Sequence, residues 1–181
     1  MHVDNSKVDL TFNVAQLLRE DTGGRRNYTF HEDVLRLDET LDLRQIEGSV
    51  KFTRTSSGVL ADVAARGLVA LQCSRCLSPV EQPISIRFRD EFHSRVEVNT
   101  GVPLPQPDED DPFFISEAHM IDLGEAIREY ALLELPMQVL CKDDCKGLCP
   151  TCGADLNAGL CGCSNDEGDE RFAALRSLLD R

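Results

Sequence analysis

The chain has 181 residues, 41% of them hydrophobic, and a formal net charge of −13 with a pI of about 4.6. That length suffices for one hydrophobic core, or one core with a small appendage, while the charge opposes sequence-independent nucleic-acid binding, in which Lys and Arg displace counterions from phosphates. No stretch approaches the roughly 20 consecutive apolar residues of a membrane helix, and residues 1–10 carry charges where a signal peptide has its apolar stretch, so a cytoplasmic protein with neither membrane nor DNA as partner is expected.

Aromatic residues make up only 6% and Trp is absent, so Leu, Val, Ile and Phe must build the core. The acidic balance favours a basic protein partner, or simple solubility.

In chain order, residues 8–12 read as a short strand, followed by a short helix with Asn13 as N-cap and Val14, Leu17 and Leu18 at helical spacing. Residues 21–27, with Gly23-Gly24 and the Arg25-Arg26 pair, read as a loop. From 46 to 53, Ile46, Gly48, Val50 and Phe52 alternate with Glu47, Ser49, Lys51 and Thr53, the period of a strand with one buried face. A turn at Ser56-Ser57-Gly58 leads into a second run, 59–73. After Leu77-Ser78-Pro79 a third run alternates Ile84, Ile86 and Phe88 with polar residues. Three runs joined by short turns predict an antiparallel meander.

Pro103, Pro105, Pro107 and Pro112 surround the acidic run Asp108 to Asp111, so a mobile linker or long loop is expected over about 99–115. A helix should start near Asp122, with Glu125 completing a capping box and Leu123, Ile127 and Tyr130 on one face, and end before Pro136. A last helix is predicted over about 169–179, with Phe172, Leu175, Leu178 and Leu179 on one side.

Chemistry concentrates in the eight cysteines. In a reducing cytosol they point to metal binding or thiol chemistry before disulfides. Cys149-Pro150-Thr151-Cys152-Gly153 followed by Cys161-Gly162-Cys163 offers four sulfurs at the spacing of a tetrahedral site, and Cys141 and Cys145 lie just upstream. The stretch 141–166 is nearly free of apolar residues, so a structural metal would have to supply its fold. Zinc is the expected ion; four thiolates also suit an iron–sulfur cluster.

Cys73-Ser74-Arg75-Cys76 falls at a turn between strand runs and needs two further ligands. The preferred grouping puts Cys149, Cys152, Cys161 and Cys163 in one site and Cys73, Cys76, Cys141 and Cys145 in another, giving two zinc ions. The competing reading is one zinc site in the tail, with Cys73 and Cys76 a reduced pair. A thioredoxin-like dithiol expects its motif between a strand and a helix start, which the 73–76 pair lacks. His2, His31, His93 and His119 are scattered without metal spacing, and Gly23-Gly24 lacks the remainder of a phosphate loop. No catalytic residues are singled out, and an enzyme is not expected.

These residues predict an α+β fold: an antiparallel β-meander with a few helices, a body over 1–140, and a zinc-stabilised cysteine-rich tail with a C-terminal helix over 141–181. The segments Leu71-Gln72-Cys73-Ser74-Arg75-Cys76-Leu77 and Ile121-Asp122-Leu123-Gly124-Glu125-Ala126-Ile127-Arg128-Glu129 through Leu135-Pro136, and the tail from Cys141 to Pro150 with Asn157 and the final helix around Arg171, resemble the bacterial YceD family in its cysteine-rich version. The resemblance runs from about residue 71 to the C-terminus.

It implies a non-enzymatic role in accumulation of large-subunit ribosomal RNA, hence in ribosome assembly or RNA maturation. At a charge of −13 the partner implied is a basic ribosomal or assembly protein, with direct RNA contact left open. The alternatives are a generic zinc-dependent interaction module and a thiol redox protein.

Overall fold

The computed structural model describes residues 10–104 and 113–163. The helix expected over 169–179, the first residues of the expected N-terminal strand and the acidic run 108–111 lie outside these residues. The chain divides into two compact units, one formed by residues 1–71 and 81–137 and the other by 72–80 and 138–181.

The first unit is built on a sheet whose strand order is β1-β7-β6-β5-β4-β3-β2. Its strands are β1 (Thr11–Asn13), β2 (Arg25–Arg36), β3 (Asp42–Arg54), β4 (Gly58–Gln72), β5 (Pro79–Ser94), β6 (Phe114–Ile115) and β7 (Met120–Asp122), with helices α1 (Ala15–Leu18) and α2 (Gly124–Leu133). Together they make a mixed α+β fold. β2 to β5 follow one another in space as in sequence, and β2–β3 and β3–β4 pair antiparallel. The alternation legible in the sequence is the one observed. Ile46, Val50 and Phe52 of β3 and Val59, Ala61, Val63 and Val69 of β4 are buried, while Glu47, Ser49, Ala64 and Arg66 are exposed.

One pairing departs from a meander. β5 and β6 run parallel, His93 opposite Phe114 and Ser94 opposite Ile115. Parallel neighbours need a long connection to bring the chain back in the same direction, and residues 95–113 provide it. The described start of that connection is ordered by Glu97, whose carboxylate accepts the backbone N–H groups of Asn99 and Thr100, and by a bridge between Val96 and Pro103.

β1 and β2 stand at opposite ends of the strand order, yet the Phe12 ring lies 5.3 Å from Tyr28 and 6.3 Å from Phe30. The sheet therefore curls until its two edges meet, and Phe52 joins the same aromatic group at 5.5 Å from Phe12. Curling shields edge strands that would otherwise offer free backbone groups. α2 closes one face: Leu123, Ala126, Ile127 and Ala131 are buried in the core cluster, and Tyr130 stacks on Phe88 of β5 at 4.6 Å.

Three expectations need correction. Residues 25–27 begin β2 rather than continuing a loop, because Tyr28 and Phe30 supply the alternation that the preceding glycines and arginines hide. Asn13 is not the N-cap of α1; that position is Val14, although Asn13 Oδ1 does accept the Ala15 N–H at 3.0 Å. Asp122 forms no reciprocal capping box: its Oδ1 takes the Gly124 N–H at 2.8 Å, Leu123 is the cap, and Glu125 is engaged by Arg128 instead.

Candidate metal centres

The described residues of the second unit form almost no apolar interior. Every residue of the large hydrophobic cluster belongs to the first unit, and the buried residues at 72–80 and 138–163 are Cys73, Val139, Cys145, Gly147 and Cys149. Three of those five are cysteines. A segment so poor in apolar burial needs another source of folding free energy.

Two turns of the same design position the sulfurs. At the first, the Cys73 N–H donates to the Ser78 carbonyl at 2.8 Å and the Leu77 N–H donates to the Cys73 carbonyl at 2.9 Å. At the second, the Cys149 N–H donates to the Ala154 carbonyl at 2.8 Å and the Gly153 N–H to the Cys149 carbonyl at 2.9 Å. Each Cys-x-x-Cys is thus wrapped into a loop whose inner N–H groups face the first sulfur. The residue after each second cysteine has positive φ, +72° at Gly153 and +61° at Leu77. Glycine takes that conformation freely, whereas leucine does so at a cost.

The turns gather their partners into two sets of four. Sγ atoms of Cys73, Cys76, Cys141 and Cys145 all lie within 4.8 Å of one another, as do those of Cys149, Cys152, Cys161 and Cys163. All eight cysteines singled out in the sequence are therefore brought together, in the grouping that pairs the 73–76 turn with Cys141 and Cys145. In the first set the Cys73–Cys145 separation is 3.8 Å and the Cys76–Cys141 separation is 3.5 Å.

A disulfide holds its sulfurs at about 2.0 Å, so neither contact is one. Four thiolates at zinc–sulfur distances of about 2.3 Å form a tetrahedron with edges of about 3.8 Å. The donor set thus fits a single tetrahedral ion. A multi-iron cluster places its thiolates on different metal atoms and so needs them further apart.

Electrostatics in each cluster also call for a cation. The Cys73 thiol is lowered to about 6, chiefly by the backbone N–H of Cys76, with that of Arg75 adding to it. Cys149 is likewise lowered to about 6 by the backbone N–H groups of Cys152 and Thr151. In contrast, Cys141 is pushed up to about 12 by its contact with Cys76, and Cys163 to about 12 by Cys152. The turns favour the Cys73 and Cys149 thiolates and an Asn157 hydrogen bond favours that of Cys145, while ionisation of Cys141 and Cys163 meets the charge already there. A bound dication removes that penalty.

Around the sulfurs lies a shell that the spacing of cysteines does not reveal. Arg75 donates from Nη1 to the Cys145 carbonyl at 2.8 Å, and its own carbonyl accepts the Leu148 N–H at 3.2 Å. Gly147 passes close to that carbonyl with φ +74°, and a Cβ there would come within 3.1 Å of it. Asn157 Nδ2 donates to Cys145 Sγ at 3.4 Å, the foremost reason that thiol is lowered. The sequence pointed to Asn157 only through the family resemblance of the tail, without a role for it.

Fold and site together define an α+β protein carrying two four-cysteine clusters, each competent to ligate a metal ion. The family model for "Large ribosomal RNA subunit accumulation protein YceD" matches residues 61–179, and the chain belongs to the YceD family. It is 27% identical over 157 residues to the chloroplastic large ribosomal RNA subunit accumulation protein YCED homolog 1 of Arabidopsis thaliana, covering 75% of this chain and 49% of that protein. It is 32% identical over 130 residues to an uncharacterized protein of Mycobacterium tuberculosis, covering 72% of this chain and 60% of the relative. A third relative is the uncharacterized protein YlbN of Bacillus subtilis, 32% identical over 127 residues, covering 68% of each. The chain thus spans between about half and two thirds of the length of these relatives. No solved structure matches it. Among the described residues no helix is long and apolar enough to cross a membrane.

Proposed function

We propose that this chain is a non-catalytic factor in large ribosomal subunit biogenesis, supporting accumulation of large-subunit ribosomal RNA through protein contacts, and that its two cysteine clusters hold structural zinc. The observation that carries the reading is the family match over residues 61–179, which contains all eight cysteines. The names of that family and of its Arabidopsis relative connect them with large-subunit ribosomal RNA.

Zinc is supported by the all-thiolate donor sets and their tetrahedral spacing, and by the scarcity of any other core among the described residues of the second unit. In the cytoplasm, where the protein is expected, thiols stay reduced and available to the ion. Cys73, Cys76, Cys141 and Cys145 would hold one ion, and Cys149, Cys152, Cys161 and Cys163 the other. A tetrahedral ion with four protein ligands has no open position for substrate, so its contribution is to folding.

The net charge of −13 supports a basic ribosomal or assembly protein as partner, since opposite potentials steer and orient such encounters. Depletion of the protein, followed by sucrose-gradient separation of ribosomal subunits, tests the reading. A selective loss of large subunits and their RNA, restored by the wild-type chain, is expected. An unchanged profile would remove the ribosomal role and leave a zinc-dependent interaction module.

A further inference from the structure

We infer that the two cysteine clusters take up metal cooperatively, with Asn157 as the positioning residue that couples them. This inference rests on the zinc reading above and goes beyond it.

Asn157 sits in the loop 153–160, between Cys152 and Cys161 of the second cluster, yet its side chain serves the first. Its Oδ1 accepts the backbone N–H of Lys146 at 3.0 Å, which fixes which way the amide faces. That leaves Nδ2 to donate to Cys145 Sγ at 3.4 Å and to Asp155 Oδ1 at 2.8 Å. Asp155 Oδ1 in turn accepts the Asn157 backbone N–H at 2.9 Å, which locks the turn. Both ends of the amide are therefore committed, one to the residue after Cys145 and one to Cys145 itself.

Backbone bonds reinforce the link. The Leu156 N–H donates to the Gly147 carbonyl at 2.9 Å, and Leu148 bridges Asp155. Residues 146–148, which join the last ligand of one cluster to the first ligand of the other, are thus paired along the loop that the second cluster closes.

The physical consequence is a shared ordering cost. Loop 153–160 buries little apolar surface, with Ala154, Ala158 and Leu160 exposed, so it is ordered mainly by the cysteines at its ends. Ligation by Cys152 and Cys161 pins both ends and holds Asn157 against Cys145. The first cluster then gains an N–H···S hydrogen bond to a ligand without ordering the loop again. Outer-shell partners of this kind change metal affinity by about 10–100-fold. The coupling is reciprocal, so a filled first cluster favours the second by the same factor.

Cobalt(II) titration of the full-length chain, followed by thiolate-to-cobalt absorption and by competition with zinc, tests this. Two variants and their combination carry the test, with Asn157→Ala as a control. Cys161→Ser with Cys163→Ser disables the second cluster. Asn157→Asp keeps the oxygen that accepts the Lys146 N–H but removes the donor to Cys145.

Each should weaken metal binding at the first cluster by about tenfold. Combined, they should weaken it no more than either alone, because both break one link. Asn157→Ala should act in the same direction, which separates loss of the donor from repulsion by a new carboxylate. Unchanged affinity of the first cluster in Cys161→Ser/Cys163→Ser, or a combined loss equal to the product of the two, would overturn the coupling. Two ions bound independently would sink the coupling alone. A wild-type chain that takes up no cobalt would sink the zinc reading with it.

Discussion

Cys73 and Cys145, 72 residues apart in sequence, bring their Sγ atoms to 3.8 Å in a buried contact. A metal held there would close a long loop, the kind of cross-link that removes much conformational freedom from the unfolded chain. Cys145→Ser should therefore reduce bound zinc by one ion and expose the segment 138–163 to protease. The first unit has its own apolar core and should keep its cooperative unfolding transition. Limited proteolysis with mass analysis, beside urea unfolding followed by far-UV circular dichroism, would check both. Simultaneous loss of the two units would contradict the independence of that core.

Leu77 takes the positive φ that Gly153 takes at the equivalent place in the other turn, and its side chain is exposed. Left-handed backbone costs a leucine about 1–2 kcal/mol. Leu77→Gly should relieve part of that strain and tighten metal binding at the first cluster by several-fold. Weaker binding in a cobalt titration would mean that the Leu77 side chain contributes more to the turn than its conformation costs.

Gly58 opens β4 where no side chain fits. A Cβ built there would lie 2.0 Å from the Phe92 carbonyl oxygen of β5 and 3.2 Å from the His93 Cα. Both neighbours are backbone, so relief requires the strands to part. Gly58→Ala should destabilise the first unit by about 1–3 kcal/mol, the usual range for overpacking. A urea midpoint equal to that of wild type would show that this end of the sheet yields more easily than its geometry indicates.

Glu91 ties the β3–β4 turn to β5. Ser57 and Thr55 donate to its Oε1, the Thr55 bond at 2.6 Å, and these bonds lower its carboxyl below the ordinary 4.5. Because the folded state holds the carboxylate, the contribution to stability is complete above the unfolded value and is lost as pH falls through the lowered one. Glu91→Gln should thus melt below wild type at pH 7, and the gap should close on acidification below pH of about 4. Thermal melts of both proteins across that range would show it; a gap independent of pH would point to packing in place of charge.

The sheet was legible where one face is buried. Val50, Phe52, Val59 and Val63 repeat at a period of two because their partners across the ladder face the same core. β2 was harder to read, because as an end strand it is mostly exposed and its run of Arg, Asn, His and Glu resembles a loop. Curling of the sheet depends on Phe12 meeting Tyr28 and Phe30, a contact between segments whose individual patterns say nothing of each other.

At the candidate site the spacing of Cys149, Cys152, Cys161 and Cys163 pointed to one group of four, while the joining of Cys73 and Cys76 with Cys141 and Cys145 was the preferred of two open groupings and is the one the fold brings together. The supporting shell did not follow. Arg75 and Asn157 act through hydrogen bonds to a cysteine that is distant in sequence, and neither residue type signals that role by itself. The cap expected at Asp122 shows the limit from the other side, since Leu123 holds that position. A correct helix start was inferred from a capping box, but the observed bond runs to the Gly124 N–H, with Glu125 turned to Arg128.

The most direct test of the two-cluster architecture is the zinc content of the full-length chain, purified without chelator and measured against protein concentration on the same sample. Two zinc ions per chain, falling to one in Cys145→Ser and to one in Cys161→Ser/Cys163→Ser, is the expected result. One ion or none in the wild-type chain, with the sulfurs of either set free to react with a thiol reagent, would contradict it.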